Sequence, residues 1–163
     1  LDDRPNFTTV SWLTRVNVHP PMIGLSLNPD HSSTKGILAN REFSINFPGA
    51  DMAEVADMCG ILKGPRSGKA QLFDVFNGEL THAPMIREAT LSIELTLHGI
   101  LELPSNTLVV GKIVNSYSES KYLTHGKPDV QKMDPLSLTM PDNRYWRLGD
   151  SVGKAWHIGR PNR

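Results

Sequence analysis

Apolar and polar residues alternate most regularly from Leu91 to Leu97, where Leu91, Ile93, Leu95 and Leu97 are separated by Ser92, Glu94 and Thr96. A period of two sends successive side chains to opposite faces, so this segment predicts a strand with one buried face. Thr107–Val114 carries Leu108, Val109, Val110, Ile113 and Val114 and predicts a second strand from its branched apolar content. Met22–Leu27 and Glu42–Phe47 predict two more, each followed by a proline, Pro29 and Pro48. Phe7–Val18 mixes Thr, Val and Trp and predicts a strand–turn–strand. A different period marks Met52, Val55, Ala56 and Cys59, which fall at i, i+3, i+4 and i+7. That spacing predicts a helix, with Asp51 placed to cap it and Gly60 near its end. A shorter helix is predicted from about Ser32 to Asn40, capped by Ser32 or Ser33.

Between and beyond these elements the pattern weakens. Ser118–Met133 is polar and mixed in charge and reads as a long surface connection. Tyr145–Arg163 holds two of the three tryptophans among several glycines. Such a tail is expected to lie across a neighbouring surface or a partner subunit. Twelve prolines and 13 glycines cut the chain into short segments, which favours strands over long helices. The expected class is mainly β, an antiparallel barrel with a few short helices, although periodicity alone does not separate a barrel from a sandwich.

Composition narrows the function classes. A chain of 163 residues suits one domain, so residues 1–163 are expected to form a single unit. Seventeen basic residues balance 17 acidic ones, which removes the electrostatic case for a nucleic-acid binder. No run of 18 apolar residues marks a membrane span, and no basic-then-apolar start marks a signal. The single cysteine, Cys59, forms no internal disulfide and fits a reducing, cytoplasmic setting. On the apolar stripe of its helix it is expected to be a buried, inert thiol. The chain opens on Leu1-Asp2-Asp3 rather than Met, so a first element is expected to be missing ahead of Asn6.

Several motifs fail on their mechanics. Gly64-Pro65-Arg66-Ser67-Gly68-Lys69-Ala70 has three residues between its glycines where a nucleotide phosphate loop needs four, and Ala70 replaces the magnesium-binding hydroxyl. Lys69 remains able to meet an anion as a point charge. No Gly-rich dinucleotide fingerprint follows a strand, and neither the nucleophile elbow nor a His-Glu-x-x-His pair occurs. The six histidines show no ligand spacing, so no metal is expected. More informative is the density of hydroxyl and amide groups toward the front. Thr8, Thr9 and Ser11 precede Trp12, Ser26 and Asn28 close a strand, and His31, Ser32, Ser33, Thr34 and Lys35 open a helix. Free N–H groups and a positive dipole end at such a start suit a phosphate monoester. The same residues also serve as ordinary turn and cap residues.

The order of these pieces resembles the flavin reductase-like, FMN-binding split-barrel family, and its flavoredoxin-like branch in particular. The resemblance is carried by Asn6-x-x-Thr9-x-Ser11-Trp12, Pro20-Pro21-Met22-Ile23-Gly24-Leu25-Ser26-Leu27-Asn28 and His31-x-Ser33-x-x-Gly36-Ile37. It continues through Glu42-Phe43-Ser44-Ile45-Asn46-Phe47-Pro48, Asp57-x-Cys59-Gly60, Ala83-Pro84-Met85-Ile86-x-Glu88 and Tyr145-Trp146-x-Leu148-Gly149. In the family's Ser-Gly…Asp-Lys loop, Lys63 stands for the serine and Gly68 for the aspartate, while Lys69 is kept. What the resemblance implies is a split-barrel homodimer holding FMN non-covalently near the subunit interface. Carried over by position, Thr9, Ser11 and Trp12 line the flavin, and Ser26, Leu27 and Asn28 run along its ring edge. His31, Ser33, Thr34 and Lys69 hold the phosphate, and Asn46, Phe47 and Pro48 flank the ribityl chain or ring. Tyr145 and Trp146 either cover a partner's flavin or pack a small core of the tail. The implied activity is transfer of hydride or electrons from NAD(P)H through flavin to flavin or another acceptor, with no acid–base pair among the residues. The alternative is a flavoredoxin-type electron carrier that serves a redox protein and has no substrate site of its own.

Overall fold

The computed structural model describes residues 4–160. Branched and aromatic residues supply five strands of one antiparallel sheet: β1 (Leu13–Asn17), β2 (Met22–Leu27), β3 (Glu42–Phe47), and the long β6 (Leu91–Glu102) and β7 (Thr107–Tyr117). Their order is β1-β2-β7-β6-β3, so β1 and β3 are edges and the sheet does not close on itself. Two helices, α1 (Ser32–Asn40) and α2 (Ala53–Ile61), follow β2 and β3. Two-stranded ribbons complete the described chain: β4 (Val75–Phe76) with β5 (Met85–Ile86), β8 (Leu123–Thr124) with β9 (Lys127–Pro128), and β10 (Leu136–Thr139) with β11 (Arg144–Arg147). A four-residue helix, α3 (Val130–Met133), precedes β10.

Register explains where the core sits. Leu25 of β2 lies opposite Val109 of β7, Ile23 opposite Gly111, and Leu95 of β6 opposite Phe43 of β3. These residues share a face, and with Leu27, Ile93, Leu97 and Ile37 of α1 they form the main core. Gly111 is required there: a methyl group on it would collide with the Phe43 ring and stand 3.0 Å from Leu95 Cδ2. A smaller cluster, Phe7, Cys59, Ile86 and Ala89, lies under α2, with Phe7 and Phe73 meeting edge-on at 5.5 Å.

The expected β2, β3 and α1 match the observed bounds, and β6 and β7 start where the pattern predicts. Other expectations are corrected. Residues 7–12 form no strand; β1 begins at Leu13, although Trp12 O still accepts a bond from Ser26 N at 3.0 Å. Neither Ser32 nor Ser33 caps α1, since His31 holds that position without a side-chain bond. Asp51 lies in a 3₁₀ turn, Ala50–Met52, and provides no cap to α2. The 118–133 connection is built from short elements, and Asp129 caps α3 by accepting from Gln131 N and Lys132 N. The expectation that a first element is missing ahead of Asn6 falls in part on residues outside those described. The Glu94 side of β6, which the alternation assigns to solvent, is buried as well.

Overpacking at the sheet centre is the first testable consequence. Gly111→Ala is expected to lower stability by about 1–3 kcal/mol, read as a drop in thermal midpoint with the fold retained.

Candidate functional site

The core face of this sheet is not fully covered. The helices leave a cavity of about 860 Å³ against Leu25, Leu27, Ile37 and Phe43. One wall is a face of α1: Ser33, Gly36, Ile37 and Asn40 recur at i, i+3, i+4 and i+7 and all line the space. A Cβ added to Gly36 would meet no atom within 4 Å, so this part of the helix stands open. Val55, Ala56 and Cys59 of α2 line the cavity as well, together with the N-terminal segment 4–11. Thr9 anchors that segment by donating its hydroxyl proton to Ala56 O. β3, being an edge, contributes side chains from both faces, Phe43, Ile45 and Phe47 together with Glu42, Ser44 and Asn46. The β10–β11 hairpin closes another side through Leu136, Leu138 and Tyr145, and Tyr145 donates to Asp57 of α2 at 2.9 Å. Burial, then that bond, pushes the Tyr145 phenol above its ordinary value, so it stays a donor.

One end of the cavity lies against the first turn of α1, where Ser32 and Ser33 line it. α1 has nine residues, no capping side chain and no acidic residue in its first turn, so no cap or carboxylate of its own offsets the positive dipole end. Ser33 Oγ accepts from Asn6 Nδ2 at 2.7 Å, which leaves the serine proton for a ligand. Asn6 Oδ1 is buried and has no partner among the described residues, a demand that a ligand donor would meet. Gly64, with φ of +74°, brings its loop against Ser32, and Arg4 lines the same cavity.

The sequence-assigned residues divide into two groups. Thr9, Ser11, Leu27, Ser33, Asn46, Phe47 and Pro48 line the cavity. Asn46 is already engaged with the protein: its Oδ1 accepts from Ile86 N and Ser92 Oγ, and its Nδ2 donates to Ser44 Oγ. The others stand outside the lining. Trp12 is exposed, and Ser26 Oγ accepts from Asn106 Nδ2 at 3.1 Å. Asn28, His31 and Thr34 build the turn into α1: Asn28 Oδ1 accepts from Asp30 N, and Asn28 O accepts from His31 N and from the buried Thr34 hydroxyl. Lys69 is 3% exposed and donates to Leu62 O at 2.9 Å and Cys59 O at 3.4 Å. It thus closes the C-terminal end of α2, where a cation is favourable. Burial pulls its ammonium below the usual lysine range, and the Cys59 thiol is pushed up by burial in turn. Sequence reasoning assigns no cofactor role to Asn6 or Gly36, while Ser32, one of the hydroxyls it groups at the start of α1, does line the cavity. The i, i+3, i+4, i+7 stripe on α1, with a glycine inside it, is the signal that could have found Gly36.

Residues 1–132 match the family model for the flavin reductase like domain. The chain belongs to this family. Among solved structures, flavoredoxin from Methanosarcina acetivorans is 46% identical, with a TM-score of 0.95 over 98% of this chain and 86% of that one. Flavoredoxin of Desulfovibrio vulgaris is 27% identical, with a TM-score of 0.90 over 98% and 87%. An NADH:FAD oxidoreductase of Streptomyces globisporus shares the fold at 18% identity, with a TM-score of 0.72 over 91% and 81%. The open antiparallel sheet is therefore the flavin reductase-like split barrel. The β10–β11 hairpin that walls the cavity lies beyond the residues the family model matches. Among the described residues no helix is long and apolar enough to cross a membrane, and no group of three acidic, His or Cys side chains is gathered for a metal.

Lys69→Ala strands two carbonyls at the end of α2. The expected loss is about 1–3 kcal/mol of stability, measured by denaturant unfolding.

Proposed function

We propose that this flavin reductase-like protein binds FMN in the 860 Å³ cavity and moves electrons from NAD(P)H to flavin or another acceptor. The observation that carries the reading is the uncapped start of α1 opening, beside a free Ser33 proton, into a space with an apolar floor. That combination fits a flat ring with a phosphate at one end. The N–H groups of α1 and the Ser33 hydroxyl hold the phosphate, and the orphaned Asn6 Oδ1 accepts from a ligand hydroxyl. Leu27, Phe43 and Phe47 pack on the ring and keep water from it. Bound flavin supplies a centre that takes up hydride and passes on electrons, so the protein needs only to bind and orient the reactants.

A second reading is an electron carrier that serves a redox protein, favoured by the 46% identity to a flavoredoxin. Anaerobic mixing of the FMN-loaded protein with NADH or NADPH separates the two. Bleaching of the flavin within seconds supports the enzyme; reduction by dithionite alone supports the carrier. Gly36→Phe tests the site itself. A ring at that open position is expected to weaken FMN binding by about tenfold or more without loss of thermal stability, followed by flavin fluorescence titration.

A second copy of the chain is the expected partner. The chain exposes 10,846 Å², against roughly 8,000 Å² for a compact monomer of its mass. The excess is apolar in part: Val152 is 95% exposed and Trp156 89%, and Trp12, Val16 and Leu101 are uncovered. Light scattering on the purified protein is expected to give twice the 18.1 kDa chain mass. A monomer at micromolar concentration would remove this part of the proposal.

A further inference from the structure

Glu94 is fully buried, with no exposed surface. Alternation along β6 groups it with Ser92 and Thr96, on the face opposite the core residues Ile93 and Leu95. What covers it is the loop between β4 and β5. Glu94 Oε2 accepts from Glu79 N at 3.1 Å and Oε1 from Leu80 N at 3.0 Å. Tyr117 donates its hydroxyl proton to Oε2 at 2.9 Å, and Asn115 Nδ2 ties Tyr117 to Glu79 Oε1. Gly78 lets the loop descend, since a Cβ there would collide with Tyr117 and Glu94. The far end of the loop is held in the same way, by His82 N donating to Glu42 Oε2 at 2.8 Å.

Two carboxylates on neighbouring strands of the sheet thus take the backbone of this loop, and three of its side chains line the cavity. Asn77, Thr81 and His82 all line it, and none of the three side chains has a hydrogen bond to a described residue. A buried carboxylate is a poor way to gain stability, because an apolar residue of similar size serves as well without the desolvation cost. It is a good way to fix backbone amides in place.

We propose that Glu94 is a positioning residue that holds the 77–82 loop as a selective rim, through which Asn77, Thr81 and His82 decide which electron acceptor reaches a flavin in the cavity. This rests on the flavin reading above. The test uses FMN-loaded protein, reduced with dithionite and reoxidised either by dioxygen or by 1,4-naphthoquinone. Each reoxidation passes an electron pair and the accompanying protons from the flavin and solvent to the acceptor, giving hydrogen peroxide or the quinol. Glu94→Gln replaces one acceptor oxygen by a donor and releases one amide of the loop. Its naphthoquinone-to-dioxygen rate ratio is expected to change by about fivefold or more, while the FMN dissociation constant stays within about twofold. His82→Ala is expected to change the same ratio with binding intact. Ratios within about twofold of wild type in both variants overturn the proposal. If Glu94→Gln fails to fold or to hold FMN, Tyr117→Phe and His82→Ala carry the same measurement, and unchanged ratios in that pair overturn it equally. A wild-type protein that takes up no FMN sinks the parent reading instead, and that is seen before any variant is made.

Discussion

A sheet with a continuous apolar face must keep that face from water, and here the covering elements are too short to do it. α1 and α2 have nine residues each, and between them the side chains of Leu25, Leu27 and Phe43 border a space rather than a neighbour. Every functional feature follows from that shortfall. The N-terminal segment is laid across it, the hairpin of β10 and β11 is drawn over one side by Tyr145 and Asp57, and the edge strand β3 offers both faces to it. The flavin proposed above would cover the same apolar face, so binding and packing are one problem there.

Much of the sheet was legible because strand periodicity and β-branched content act locally. Met22–Leu27 is buried at all but Ser26, and Glu42–Phe47 is half-buried with Phe43 in the core; both are bounded by turn residues, so pattern and structure agree. Where tertiary contacts decide, the pattern misleads. Residues 7–12 carry β-forming side chains but find no strand partner, since α2 and Phe73 claim Thr9 and Phe7. Glu94 reads as a solvent-facing residue until a loop with no periodicity of its own folds over it.

The site shows the same division. Resemblance places Ser33, Phe47 and Pro48 at the cavity because their neighbours in sequence fix them there. Lys69 looks like an anion ligand in a glycine-rich loop, yet the loop turns it toward Leu62 and Cys59, and the end of a helix takes the charge. No local signal distinguishes these two uses of a lysine. Only the packing of α2 against the 3₁₀ turn at Lys69–Leu72 does.

The cavity that the N-terminal segment helps to line has a consequence for the behaviour of the whole molecule. An apolar floor bordering a space of this size is in contact with water, and covering it is favourable. Any occupant that binds the folded chain and not the unfolded one therefore shifts the melting equilibrium in proportion to the logarithm of its free concentration. With the flavin proposed above as that occupant, heat resistance would gauge its supply, and a cell starved of it would hold a softer, more readily degraded population of the same chain.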